Sequence, residues 1–184
     1  MATVRRPLRA DAQRNRDAIL AAAREVFDAE GVMASLDGIA LRAGVGNATL
    51  YRNFPTRDDL LAAVMESAIG AALTEAGELA RALAPREALA EWLVRLTWQL
   101  RIWHDLPYCL ASARAAGASP VQPATDPLVS RTEAFLRAAG TSKDVTADEV
   151  YELLLALSWA VDRFGDDEAA ARRRVTLATA GVLA

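Results

Sequence analysis

Asn47, Thr49, Tyr51, Arg52 and Asn53 concentrate hydrogen-bonding groups in one short stretch of the run SLDGIALRAGVGNATLYRNF, between Ser35 and Phe54. An Asn amide can pair bidentately with adenine, an Arg guanidinium with guanine, and hydroxyls can meet phosphate oxygens. The set therefore fits the base edges and backbone of duplex DNA. Asn47 is the candidate base reader, with Ala48 and Leu50 placed to touch thymine methyls. Thr49, Tyr51, Arg52 and Asn53 can reach phosphates, and Arg52 can also read guanine. Arg57 stands at the start of the next apolar run, where its charge and the free backbone amides favour an anion. Ser35 can cap a helix and turn that terminus toward the DNA backbone, and Gly46 opens the reading helix. Arg5, Arg6 and Arg9 add minor-groove or phosphate attraction, while Arg14 and Arg16 read as a solvated face.

Catalytic chemistry finds much less support. His104, Asp105 and Cys109 invite a Cys–His reading, but five residues apart on a helix they point about 140° away from one another. The chain holds one His and one Cys, so no second pair can be assembled and a zinc site of the usual N/S type is excluded. Carboxylates such as Glu87 and Glu91 lie singly on polar helix faces, and no glycine loop of the phosphate-cradling kind occurs. We expect no enzyme activity, no cofactor and no metal.

The DNA-reading residues need helices to hold them. Ile19, Leu20, Ala23, Val26 and Phe27 repeat at helical spacing, and Gly31 follows where glycine commonly ends a helix. Ser35 caps a second helix with Leu36, Ile39, Ala40 and Ala43 inward, closed by Gly44. The third helix runs from Gly46 or Asn47 to Asn53 and buries Leu50 and Phe54. Pro55 and Thr56 break and recap the chain before Leu60, Leu61, Val64, Met65 and Ala68 restart the pattern. This is the layout of a helix-turn-helix.

Apolar spacing stays helical to the end, with no convincing strand. Leu89, Trp92, Leu93, Leu96, Leu100 and Trp103 mark one long helix from near Pro85. The stretch from Gly117 to Pro127, with Pro120 and Pro123, reads as a long loop before a helix over 127–139. Thr146 and Glu149 form a capping-box signature ahead of Val150, Leu153, Leu154, Leu157 and Val161. Gly165 separates that helix from a last one carrying Val175, Ala178 and Val182. The expected fold is all-α, with a mobile basic arm over 1–10, a helix-turn-helix domain over 11–57 and a helical body over 58–184. A helix near 57–80 joins head to body rigidly.

Charge is distributed to match. Residues 1–57 carry nine arginines against six acids, although the whole chain has a net charge of −3. Local positive charge, not a basic whole, is what a phosphate-binding surface requires. Hydrophobic content of 53% supports a full core. No apolar run of about 20 residues suggests a membrane span, and MATVRRPLRA lacks a signal-peptide core. The lone Cys109 fits a reducing compartment, so a cytoplasmic location is expected.

Residues 14–64 resemble the DNA-binding domain of the TetR family of bacterial transcriptional regulators. The resemblance rests on Ile19-Leu20-Ala21-Ala22 with Val26-Phe27, then Gly31, Ile39-Ala40, Ala43-Gly44-Val45, Thr49-Leu50-Tyr51, Phe54-Pro55 and Leu60-Leu61, all in register. Gly46 stands where that family often has Ser or Thr, a change that costs a few tenths of a kcal/mol as an N-cap and removes one phosphate contact. Ala48 replaces a frequent Gly, and Arg57 replaces a usual Lys.

The resemblance implies a regulator that binds a double-stranded operator, pairs with a second copy and answers to a small-molecule effector. Release of an inverted-repeat operator would make it a repressor. Activation uses the same protein contacts, as does DNA binding without a ligand. The last two helices, over about 146–183, suit a four-helix homodimer interface. Candidate effector contacts are Met65, Trp92, Leu96, Gln99, Trp103, His104, Tyr108 and Trp159, a mixture of apolar walls and polar groups of the kind that lines a ligand pocket.

Overall fold

Side-chain caps open four helices of the fold, at Ser35, Thr56, Thr146 and Asp167, and left-handed glycines close several others. In the computed structural model, which describes residues 5–141 and 144–183, with side chains from residue 10, nine helices and no strand occur among the described residues. The first is α1, Arg5–Glu30. It takes in residues 5–10 of the expected arm, with Pro7 in the first turn, where its missing N–H has no helical acceptor to lose. Residues 1–4 lie outside the described residues. Gly31, at φ +83°, ends the helix, its N–H donating to the Phe27 carbonyl at 3.0 Å.

Helix α2 spans Leu36–Arg42 and α3 spans Asn47–Asn53. Ser35 caps α2, its Oγ accepting from the Gly38 amide at 3.4 Å. Gly44, at φ +68°, makes the turn, and Gly46 caps α3 with no side-chain bond. Ile19, Ala23, Phe27, Ile39, Leu50 and Phe54 are buried where α1, α2 and α3 meet. Thr56 and Asp59 form a reciprocal capping box on α4, Arg57–Ala82. Because α4 begins at Arg57, the anticipated boundary between head and body falls inside one continuous helix. Leu60, Leu61 and Val64 pack into the head's core, while Ile69, Ala72, Ala76 and Leu79 are buried in the body. By length and composition α4 could cross a bilayer, but its apolar face is the one it buries, packing chiefly on α7.

The body corrects four expectations. The long helix from Pro85 stops at Gln99, as α5, Pro85–Gln99, and α6 begins only at Leu106, Leu106–Ala116. Pro107 explains the break, since inside a continuous helix it would remove a hydrogen bond and clash with the preceding turn. Trp103 and His104 therefore lie in a connector, and Asp105 adopts φ 63°, a left-handed conformation that Asp tolerates better than most residues. The 140° helical argument against a His104–Cys109 pair does not apply, because only Cys109 is helical.

The expected loop from Gly117 to Pro127 shrinks to four residues, because α7 runs Val121–Ala139. Pro123 sits in its first turn. Pro127 lies inside, where Thr125 Oγ1 donates to the Val121 and Gln122 carbonyls at 3.1 and 3.0 Å one turn earlier. Helix α8, Ala147–Phe164, has the expected Thr146–Glu149 box and ends at Gly165. Helix α9, Glu168–Ala178, is capped by Asp167 and stops short of Val182, which packs against the core from beyond the helix end.

Candidate DNA-reading surface and effector cavity

Helix α3 sorts its residues by depth. Leu50 is 1% exposed, which corrects the expectation that it touches thymine. Asn47, Ala48, Tyr51 and Arg52 are exposed, and their i, i+1, i+4, i+5 spacing puts them on one outward stripe. Tyr51 is 45% exposed, so its ring packs partly while its edge remains accessible. Thr49 and Asn53 are half-buried at the margin of the stripe.

These side chains are already braced. Asn47 Nδ2 donates to Asp37 Oδ1 at 2.9 Å, across from α3 to α2. Arg52 Nη2 donates to Thr49 Oγ1 at 2.9 Å. Asn53 Nδ2 donates to the Thr49 carbonyl at 2.8 Å, which satisfies the end of α3 and leaves only its amide oxygen and second N–H for another partner. Ser35, Gly46 and Ala48 are exposed, and nothing lies within 4 Å of a Cβ built at Gly46. The bracing holds rotamers that would otherwise have to be ordered on binding.

Arg57 makes two contacts within the head that its sequence position does not announce. Its Nη1 donates to the Val32 carbonyl at 2.6 Å and the Ala34 carbonyl at 2.7 Å. Through Nη1 the guanidinium ties the start of α4 to the loop between α1 and α2. The loop carbonyls needed a donor because no helix or strand supplies one. Arg16 also departs from a solvated face: its guanidinium carbon lies 4.5 Å from the centre of the Phe54 ring. Arg14 pairs with Asp11 on the surface. Arg42 reaches Glu25 at 2.6 Å and fastens α2 to α1.

In the body, the candidate effector residues do not form one site. Met65, Leu96, Gln99 and Trp103 come together around an apolar cavity of about 30 Å³, with Ile69, Leu100 and Leu128. Tyr108 and Trp159 line a different feature, an open groove of about 550 Å³ between α6 and α8 with Arg114 and Leu155. Trp92 and His104 join neither. Trp92 is fully buried, stacks on Phe135 at 5.7 Å and donates to Thr132 Oγ1 at 2.9 Å, as a core residue does. His104 is exposed, with Nδ1 3.1 Å from Asp162 Oδ2. Ile69 extends the stripe of Met65 by one turn and was available to periodicity, whereas Leu128 arrives from a helix whose start the prolines obscured.

Burial pushes the Cys109 thiol above its usual range, which makes it a poor nucleophile. The same cause raises the Tyr151 hydroxyl to about 12. Glu91 moves the other way: Arg172 and Arg95 hold its carboxyl down at about 2 against the burial that opposes them. No group of three or more His, Cys, Asp or Glu side chains suited to a metal ion occurs among the described residues.

Similarity to known proteins agrees with this geometry. The profile of bacterial regulatory proteins of the tetR family matches residues 19–64. A second, for the C-terminal domain of SbtR-like transcriptional regulators, matches residues 84–184. A TetR transcriptional regulator from Streptomyces coelicolor is 31% identical over 91% of this chain and 97% of its own, with a TM-score of 0.53. The TetR-family repressor FadR from Thermus thermophilus, solved with lauroyl-CoA, shares the fold at a TM-score of 0.67 and 19% identity, over 92% of this chain and 95% of its own. No curated protein matches. With both halves matched and a helix-turn-helix leading into a helical body, the chain belongs to the TetR family of transcriptional regulators.

Proposed function

We propose that this protein is a cytoplasmic homodimeric repressor that grips an inverted-repeat operator with α3 and lets go when a small molecule enters the body. The observation that carries the reading is the outward stripe of Asn47, Ala48, Tyr51 and Arg52 on α3. A short helix with its apolar side sealed and its polar side free is the shape that enters a major groove. Asn47 supplies base reading, Arg52 and Tyr51 reach the flanking backbone, and Thr49 and Asn53 border the contact.

Pairing is supported by α8 and α9. Trp159, Phe164 and Leu177 are 48%, 68% and 81% exposed, on or next to two helices joined by a short connection. Covering such side chains with a second copy would place two α3 helices on two half-sites. Effector release is supported by the cavity described above. The Thermus thermophilus FadR, a protein of this fold, is solved with lauroyl-CoA.

Selection of bound duplexes from a random pool, with the purified full-length chain, tests the reading. A short inverted repeat is the expected product. Recovery of unrelated sequences would leave only nonspecific attraction.

A further inference from the structure

The open groove between α6 and α8, about 550 Å³ in volume, falls within the usual range for small-molecule sites. Tyr108, Ala111 and Arg114 line it from α6, and Glu152, Ala156 and Trp159 from α8. Its two ends differ in chemistry. Tyr108 and Trp159 are 59% and 48% exposed, so each offers ring surface to a flat, apolar group. Ala111 and Ala156 are small enough to leave room between the walls.

The other end holds a buried cation. The Arg114 side chain is only 10% exposed, and its guanidinium carbon lies 5.3 Å from the centre of the buried Tyr151 ring. Nη2 donates to Asp148 Oδ1, but Nε and Nη1 are buried with no hydrogen-bond partner. Nε stands 3.8 Å from Glu152 Oε1. That is too far for a hydrogen bond, and it sets this edge of the guanidinium beside a wall of the groove. Buried N–H groups are nearly always paired in folded chains, so this end of the groove is short of an acceptor.

Charge decides which acceptor fits. A carboxylate would meet Glu152 and Asp148 as well as Arg114, two negative charges against one positive. A cation would meet the guanidinium. A neutral group that accepts on one side and donates on the other suits both neighbours. We infer that the groove between α6 and α8 binds an uncharged, flat aromatic molecule bearing a carboxamide. The rings lie between Tyr108 and Trp159, while the amide oxygen takes an N–H of Arg114 and the amide N–H meets Glu152. From Tyr108 to Arg114 α6 rises about 9 Å, a span that two fused rings and a short polar tail fill. Leu157 and Phe164 lie about 140–160° round α8 from Trp159, so a second copy seated on that side and on α9 borders the groove without filling it.

The test is calorimetric titration of the full-length protein with three probes of one shape: 1-naphthaleneacetamide, 1-naphthaleneacetate and 2-(1-naphthyl)ethylamine. The amide is expected to bind saturably and at least tenfold more tightly than either charged probe. In ¹H–¹⁵N spectra it should move the indole N–H signal of Trp159, assigned from Trp159→Phe, and leave that of the buried Trp92. Glu152→Gln removes the charge and keeps a side-chain acceptor, so naphthaleneacetate should tighten about fivefold while the amide changes little. Ala111→Trp, at an exposed position, should fill the groove and abolish amide binding with the fold and the sedimenting mass unchanged. The inference is overturned if the amide does not bind, if naphthaleneacetate binds equally well, if Trp159 stays unmoved, or if Glu152→Gln leaves naphthaleneacetate affinity unchanged. A fall in sedimenting mass with Ala111→Trp would put a second copy in the groove and overturn it as well. Failure to select any duplex would contradict the repressor reading alone and leave these results standing.

Discussion

Asn47 and Asp37 are joined by a 2.9 Å hydrogen bond between α3 and α2, so the residue placed to read a base is held by a carboxylate before DNA arrives. That bond orients the amide and also puts a negative charge beside the reading helix.

Two substitutions separate these effects. Asn47→Ala should cost about 1–3 kcal/mol per half-site contact and relax the preference at one base position. Asp37→Ala should relax the same position while raising affinity for every duplex, because a like charge leaves the phosphate-facing surface. Titration against the selected operator and its single-base variants distinguishes them. Equal loss on all duplexes from Asn47→Ala would remove its assignment as a reader.

Arg57→Ala should act on the fold before it acts on DNA. Two carbonyls, of Val32 and Ala34, lose their donor, and bonds to a charged group contribute about 1.5–3 kcal/mol. Denaturant unfolding should show a loss of about 2–3 kcal/mol, while the salt slope of operator binding changes little. A full-unit fall in that slope at unchanged stability would restore Arg57 as a phosphate contact.

Gly31→Ala should be among the more damaging small substitutions in the head. The position combines φ +83° with an approach of 3.0 Å to the His104 carbonyl. A Cβ there meets backbone that cannot move without breaking the Val32–His104 bond. Thermal unfolding should show a loss larger than the roughly 1 kcal/mol usual for an unfavourable backbone conformation alone.

Acid should weaken the body through Glu91. Its folded carboxyl, held at about 2 by Arg172 and Arg95 against an ordinary 4.5, binds its proton less readily than in the unfolded chain. The stabilisation is therefore complete above pH 4.5 and fades as pH falls from 4.5 toward 2. The full shift corresponds to about 3 kcal/mol, reduced to about 1–2 kcal/mol because both arginines are partly solvated. Glu91→Gln should flatten stability across that window, measured by unfolding at stepped pH. An unchanged acid slope would mean that other carboxylates dominate.

Local signals made the head legible from its residues. Ser35 and Thr56 each sit where a side-chain oxygen is needed to start a helix, and each does so, as Thr146 does in the body. Apolar spacing also points Leu50 and Phe54 inward, and the burial of Leu50 rules out its expected thymine contact. The body was harder because prolines act in two ways. Pro107 sits in the first turn of α6, just past an apolar repeat that reaches Trp103, whereas Pro123 and Pro127 sit within α7. Spacing cannot separate Trp92 from Trp103 either. Both fall on the same repeat, yet one is bonded to Thr132 in the core and the other to Asp28 across the joint. Those partners are distant in sequence, as are Asp37 for Asn47 and Val32 for Arg57.

The most direct test of the central claim is protection of the outward face of α3 by bound duplex. Ala48→Cys in a Cys109→Ser background puts one thiol on that stripe. Saturating selected duplex should slow its alkylation by iodoacetamide at least tenfold, with no protection from a scrambled duplex at moderate salt. Alkylation at the free rate while the operator is bound would mean that α3 does not face the groove.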